Sequence, residues 1–265
     1  MNNFLSDIIR AKEINVEQRK HSRPLPLLMN QCSNNESGGH SLVAALNKES
    51  GPGIIAEFKR RSPSNGNLNI YADVTEITRS YVAAGATALS ILTEECFFNG
   101  CDADLLSARQ INNCPILRKD FIIDTYQIYE SKYLGADVIL LIAAILTPAE
   151  TLLLTTIAKF IGLEVLLEIH SEDEIGHLNP LIDIVGINNR NLHDFTTSIQ
   201  TSLMLYDKLP SPLLKISESG IDDPLKYQLL RNKGFDGFLI GEFFMKSADP
   251  GDSLKSFIEN IQQQV

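Results

Sequence analysis

The chain has 265 residues, 44 % of them hydrophobic and 21 % charged. That is ordinary globular usage, with no low-complexity tract to support a disordered arm. A formal net charge of −10 excludes wholesale binding to nucleic acid or to anionic membranes, both of which need clustered basic surface; an anionic small molecule stays within reach where positive charge is gathered locally.

The opening stretch, MNNFLSDIIRAKEINVEQRK, carries charge in every turn and lacks the uninterrupted apolar core of a signal peptide. Phe4, Leu5, Ile8 and Ile9 recur at helical spacing, which predicts an amphipathic helix. Arg23-Pro24-Leu25-Pro26 breaks that pattern, and His40-Ser41-Leu42 to Leu46 reads as a second short helix. Residues 1–50 are therefore expected to form a helical N-terminal extension that caps or lids the rest of the chain, within a single domain spanning 1–265. Cys32, Cys96, Cys101 and Cys114 have neither CxxC spacing nor nearby histidines, so no metal site is expected and the thiols should stay reduced in a cytoplasmic protein. The longest apolar run, Val138 to Leu146, is far shorter than the roughly 20 residues needed to cross a bilayer.

From Gly53 onward a unit repeats: a short apolar run, a polar loop, then a longer amphipathic segment. The predicted strands are 54–59, 88–92, 116–119, 138–142, 165–168, 184–188, 214–217 and 237–240. Helical patterns fall at 73–84, 104–112, 125–134, 148–161, 172–178, 198–209, 224–233 and 253–263. Alternating strand and helix implies parallel strands joined by right-handed crossovers, and eight such units match a closed (β/α)8 TIM barrel better than an open sheet. Gly85, Gly135 and Gly234 each follow a helical pattern, where a helix end calls for a left-handed residue. An open doubly wound sheet would usually show a glycine-rich dinucleotide fingerprint after its first strand, and 54–59 has none.

The stretch Ile54 to Gly66, IIAEFKRRSPSNG, is the most informative. Because side chains alternate along a strand, Glu57 and Lys59 share one face while Phe58 takes the other. Other apolar runs also end in ionisable or amide side chains: Glu94, Lys119, Glu168, Asn188 with Arg190, and Glu218 with Ser219. In a TIM barrel all of these would open onto one face, whereas solvated charges on a structural rim would account for only part of the set. Gly220 follows the seventh predicted strand and Gly241 the eighth, the loops that most often build a phosphate site in this fold. Glu242 beside Gly241 is compatible with such a site only if its side chain turns away. His170, His177 and His193 lie near strand ends without metal or triad spacing and read as surface or supporting residues, and His21 and His40 as solvated.

Five motifs, in order, carry a resemblance: AEFKRRSPS at 56–64, LRKDFI at 117–122, Glu168-Ile169-His170, Gly186-Ile187-Asn188-Asn189-Arg190 and Ser217-Glu218-Ser219-Gly220-Ile221. Together they closely resemble the indole-3-glycerol phosphate synthase family of tryptophan biosynthesis. The resemblance implies a (β/α)8 barrel with its extension near the active-site mouth, and a cytoplasmic lyase without a cofactor. Its substrate would be 1-(2-carboxyphenylamino)-1-deoxyribulose 5-phosphate, which closes a ring and loses CO2 and water. Carried over by motif, Lys119 would be the general acid and Glu57 and Lys59 would handle dehydration, with Lys59 also near the phosphate. Glu168 would be a base or stabilise the iminium charge, and Asn188, Arg190, Glu218 and Ser219 would position substrate. Phe121 and Ser62 would line the substrate site, and Gly220, Gly241 and Glu242 would hold the phosphate. Cys96 stands where lysine or tyrosine is frequent in the family, and Asn191 where aspartate is usual, which bears on loop contacts and on the pairing of side chains behind the site.

Two rival readings remain. A Schiff-base aldolase needs a neutral lysine, which converging carboxylates would oppose. A silent phosphate-binding barrel has no need of Glu57, Lys59 and Lys119 together. No second fused enzyme of the pathway is expected, since the chain ends shortly after the eighth unit; noncovalent association with other enzymes of tryptophan biosynthesis is left open.

Overall fold

In the computed structural model residues 4–33, 39–48, 51–192 and 194–263 are described. The chain opens with helices α1 (Phe4–Ser22), α2 (Leu25–Ser33) and α3 (Leu42–Leu46). Eight barrel strands follow, with a small hairpin of Arg61–Ser62 and Gly66–Asn67 after the first: β1 (Ile54–Phe58), β2 (Ala88–Leu92), β3 (Ile116–Lys119), β4 (Val138–Ile142), β5 (Glu164–Ile169), β6 (Ile184–Asn188), β7 (Leu214–Glu218) and β8 (Gly237–Ile240). Each pairs in parallel with its sequence neighbours, and β8 returns to β1, closing the (β/α)8 barrel. The crossovers are α4 (Val74–Ala83), α5 (Asp102–Ile111), α6 (Thr125–Leu134), α7 (Pro148–Phe160), α8 (Gln200–Tyr206) and α9 (Pro224–Lys233). α10 (Glu242–Met245) and α11 (Pro250–Gln263) complete the chain.

Local chemistry explains most boundaries. Asp73 and Asp223 accept backbone N–H groups at the starts of α4 and α9. Asp124 with Gln127 and Thr147 with Glu150 form capping boxes on α6 and α7. The three glycines expected at helix ends have φ of 101°, 91° and 114° at Gly85, Gly135 and Gly234. Two expectations change. The segment expected as a helix at 172–178 is a 3-10 turn, Glu172–His177. The prolines that stop α1 also start α2, because a proline in a first helical turn gives up an N–H that has no intrahelical partner anyway.

Strand alternation sorts the core into two layers. Ala56, Phe58, Ile91, Leu141, Leu167 and Ile187 face outward against the helices, while Ile55, Leu117, Leu140, Leu166, Ile216 and Leu239 fill the barrel. α3 plugs the end where the strands begin: its Leu42 and Leu46 join the interior layer. Glu164, the first residue of β5, accepts N–H groups from Leu42 (2.8 Å) and Val43 (3.1 Å), tying α3 in place.

α1 lies at the opposite end and is held by buried charge. Lys12 is 2.7 Å from Asp120, whose side chain is fully shielded. Arg118 points outward from β3 and is 2.8 Å from Glu130 on α6; Arg19 of α1 meets the same Glu130 at 2.9 Å. Thr93 donates to Asp120 (2.6 Å) and accepts from Arg118 (3.0 Å). Among the described residues no helix is long and apolar enough to cross a membrane.

Removing one member of a buried ion cluster leaves its partners uncompensated, at about 3–5 kcal/mol. Asp120→Ala should therefore lower unfolding stability by about that amount, read from the urea midpoint. The sign with pH is also set. Burial opposes ionisation of Asp120, but Lys12 and Arg118 prevail and hold its carboxyl at about 2. Its contribution is complete above the unfolded value near 3.9 and should fade as pH falls through about 2, a loss absent from the variant.

Candidate active site

The odd-numbered strands build the site by a two-step rule. Each carries an inward apolar residue, Ile55, Leu117, Leu166 or Ile216, and two positions on an inward ionisable one: Glu57, Lys119, Glu168 or Glu218. Four side chains from alternate strands make one layer of a TIM barrel, and here the layer nearest the mouth is ionic. Lys119 Nζ lies 2.5 Å from Glu168 Oε2 and 2.8 Å from Glu218 Oε2. Lys59 Nζ lies 2.5 Å from Glu57 Oε1, so the pair expected to share a face does so.

The even-numbered strands leave room for these carboxylates. A Cβ on Gly186 of β6 would sit 2.1 Å from Glu218 Oε1, and one on Gly241 after β8 would sit 2.4 Å from Glu57 Oε1. Asn188 of β6 donates to Glu168 Oε1 at 3.2 Å.

The charges polarise one another. Burial alone would drive the Lys119 ammonium toward neutrality, but Glu168, Glu218 and Glu57 outweigh it and hold its proton above the ordinary lysine range. Burial likewise opposes ionisation of Glu168, yet Lys119 and His170 keep it below the usual carboxylate range. Glu218 goes the other way: burial, aided by the neighbouring Glu168 charge, raises it despite Lys119. Two carboxyls sharing one lysine are thereby pushed apart, the pattern of an acid and base pair.

A cavity of about 930 Å³ opens above this layer, within the usual range for small-molecule sites. Glu57, Lys59, Ser62, Lys119, Phe121, Glu168, Asn188, Arg190, Glu218, Ser219, Gly220, Gly241 and Glu242 all line it. Ser219 and Gly220 have successive left-handed φ values of 66° and 72°, a strained turn of the kind concentrated at functional sites. Glu242 does not turn away as expected. Its carboxylate is paired with Arg190 at 2.9 Å and Lys246 at 2.8 Å, and these cations with Lys59 hold it ionised against burial.

One sequence reading needs correction. Glu94 leaves the set: it is buried and accepts the backbone N–H groups of Cys96, Phe97 and Phe98 at 2.7–3.0 Å, fixing its own loop. Of the histidines read as surface or supporting residues, His170 is a supporting one, lying against Glu168 and Glu174, whereas His177 meets Thr151 away from the cavity, and His193 lies outside the described residues. Phe4, Leu5 and Ile8, read as one face of a helix, prove to wall the cavity, with Phe4 edge-on to Phe97 and Phe195 at 5.3 and 5.4 Å. Lys246 was also missed, although its spacing of four from Glu242 within a helical turn was a usable signal.

A family model described as Indole-3-glycerol phosphate synthase matches residues 5–257. The chain belongs to this family. An indole-3-glycerol phosphate synthase from Bacteroides thetaiotaomicron is 48 % identical over 262 residues, covering 99 % of this chain and 100 % of the relative. One from Thermoanaerobacter pseudethanolicus is 40 % identical, covering 97 % and 98 %. Among solved structures, 3-hexulose-6-phosphate synthase from Salmonella typhimurium aligns with a TM-score of 0.62 at 12 % identity, over 80 % of this chain and 99 % of that one. The tryptophan synthase alpha chain from Legionella pneumophila gives 0.59 at 13 %, over 84 % and 94 %. These distant likenesses establish the barrel alone; the family match makes the chain an indole-3-glycerol phosphate synthase, a decarboxylating lyase of tryptophan biosynthesis acting on a phosphorylated small molecule.

Gly241 gives a test of the packed carboxylate. A Cβ there would meet the Cβ of Glu57 at 2.7 Å as well as its carboxylate at 2.4 Å, so Gly241→Ala should displace the whole Glu57 side chain at some cost in stability. A shift of about 1 Å in a reacting group can cost about 10²-fold, and turnover of the folded variant should fall by that order alongside a lowered melting temperature.

Proposed function

We propose that Lys119 is the general acid of the synthase reaction, protonating the ketone of 1-(2-carboxyphenylamino)-1-deoxyribulose 5-phosphate as the ring carbon attacks it. The new carbon–carbon bond closes the ring, and loss of CO2 and then water gives indole-3-glycerol phosphate. The observation that carries this assignment is the Lys119 ammonium held between Glu168 and Glu218 at 2.5 and 2.8 Å. An ammonium in that clamp is a proton donor rather than a nucleophile, since imine formation needs the neutral amine. This favours the synthase chemistry over an aldolase route.

Glu57 and Lys59, 2.5 Å apart, bring a proton acceptor and a donor to one place, as dehydration requires. Glu168 acts as the base or stabilises the iminium charge formed on ring closure. Asn188, Arg190, Glu218 and Ser219 position the substrate, with Phe121 and Ser62 on the walls. Backbone around Gly220, Gly241 and Glu242 holds the phosphate, with Lys59 close by. The carboxylate of Glu242 is compatible with an anion there because Arg190 and Lys246 already neutralise it. No step in this reading calls on a cofactor: each moves a proton or expels CO2 or water. Positioned acid or base groups contribute about 10²–10⁴-fold each, or roughly 3–5 kcal/mol, so two or three suffice alongside orientation.

The four free thiols support a reducing, cytoplasmic setting. Residues 1–50 are best taken as an extension of one barrel domain, since α1 and α3 pack on its two ends.

Incubation with the anilino-ribulose phosphate should generate indole fluorescence, which a mere binding module would not produce. Lys119→Ala should retain substrate binding yet lose turnover by about 10²-fold or more. Normal turnover in that variant, or a borohydride-trapped substrate adduct on Lys119, would overturn the acid role.

A further inference from the structure

His170 is an ionisable group at the site for which the proposed reaction names no role. It follows the last residue of β5 directly and lies against Glu168. The 3-10 turn Glu172–His177 then folds Glu174 back over it, and the His170 backbone N–H donates to Glu174 Oε2 at 2.6 Å. The ring is thereby lodged between two carboxylates: Nε2 is 3.2 Å from Glu168 Oε1 and Nδ1 is 3.5 Å from Glu174 Oε2. Both ring nitrogens are sealed from solvent, at ion-pair distance rather than in an aligned hydrogen bond. A neutral imidazole has one N–H and would turn a lone pair toward one of the carboxylates, whereas an imidazolium offers a donor to each.

We propose that His170 is a positioning residue of the synthase reaction, an imidazolium clamped between Glu174 and Glu168 that keeps Glu168 ionised and aimed at Lys119. The proposal rests on the reading of Glu168 as base or iminium stabiliser. Burial favours the neutral ring, but Glu168 and Glu174 overcome it and push the imidazole up to about 9. The charged groups facing this corner are Glu168 on β5, Glu174 on the turn, Lys119 on β3 and Glu218 on β7; β6 contributes the neutral Asn188 and β4 ends on the apolar Ile142. Glu168 thus has a cation on each oxygen: Lys119 on Oε2, and His170, beside the Asn188 amide, on Oε1. That asymmetry separates it from Glu218, whose Oε1 is buried with no hydrogen-bond partner.

Removing a cation beside a carboxylate raises its pKa, so a step that needs ionised Glu168 is lost sooner as pH falls. In His170→Asn the acid limb of kcat should move up by about one pH unit, with KM changed less than kcat. In Glu174→Gln the ring stays in place but loses its outer anion, so its titration, followed by proton NMR of the ring C–H among the five histidines, should fall from about 9 toward the ordinary value near 6.5. A folded His170→Asn with wild-type kcat at every pH, or a wild-type His170 already titrating near 6.5, would overturn the proposal. Should His170→Asn fail to fold, Glu174→Gln decides through the same resonance, and an unmoved resonance counts against the proposal. Glu168→Gln separates the two readings: full turnover there sinks the role of Glu168 itself, whereas lost turnover beside an unaffected His170→Asn sinks only the clamp.

Discussion

The constraint on which the rest of this structure depends is a lysine buried between two glutamates at the top of a closed barrel. Placing charge over an apolar plug is costly, and a buried ion pair is weak evidence for stability: apolar replacements of similar volume are often neutral or stabilising, by about 1–4 kcal/mol. The arrangement therefore has to be understood through the chemistry that it permits. Closing eight strands forces every second inward residue of the odd strands to one level, so Glu57, Lys119, Glu168 and Glu218 have no independent choice of place. Their neighbours on the even strands must then be small. Gly186 and Gly241 are spaces already filled by carboxylates from β7 and β1, a reason for glycine distinct from the freedom of the backbone to bind phosphate.

Strand β3 shows how one short segment joins fold, extension and site. Leu117 and Lys119 point inward, to core and chemistry, while Arg118 and the following Asp120 anchor helices outside the barrel. Lys12 reaches Asp120 from α1, so the helix that lends Phe4, Leu5 and Ile8 to the cavity wall is fastened one residue from Lys119. α3, from the same extension, seals the far end of the barrel. The expectation of a cap or a lid thus resolves into two separate contacts: a plug below and a wall above. Any displacement of α1 would have to break the buried Lys12–Asp120 pair as well as the more exposed ones that Arg19 and Lys20 make.

Strands and rim were legible because period-two alternation and eightfold repetition reinforce each other. A register slip of one residue would have sent Glu57, Lys119, Glu168 and Glu218 outward together, so a consistent inward reading had few competitors. Where the signal was local, it misled. Glu94 ends an apolar run just as Glu168 does, but a carboxylate can equally well cap its own loop, and only the path of residues 96–98 decides. Pro24 and Pro26 mark both the end of one helix and the start of another, and composition alone does not tell these apart. The clamp on His170 was hidden because its partners arrive from two sources: Glu168 from the end of β5, and Glu174 by a 3-10 turn, which strand alternation does not reveal.

The remaining tension is that an acidic chain handles a phosphorylated substrate. Exposed charges farther apart than about 8 Å are largely screened at physiological ionic strength, so much of the net −10 acts weakly on a ligand inside the cavity. What such a ligand meets at short range is Lys59, Lys119, Arg190 and Lys246, each already in contact with a carboxylate. Pairing fixes both partners in position while leaving each ammonium or guanidinium with donors to spare. An incoming anion can then share a cation that is already oriented instead of gathering mobile side chains from solvent, and preorganised charge of this kind needs little rearrangement as the reaction proceeds. The acidic groups that seem misplaced near an anionic substrate are what hold the basic ones in position.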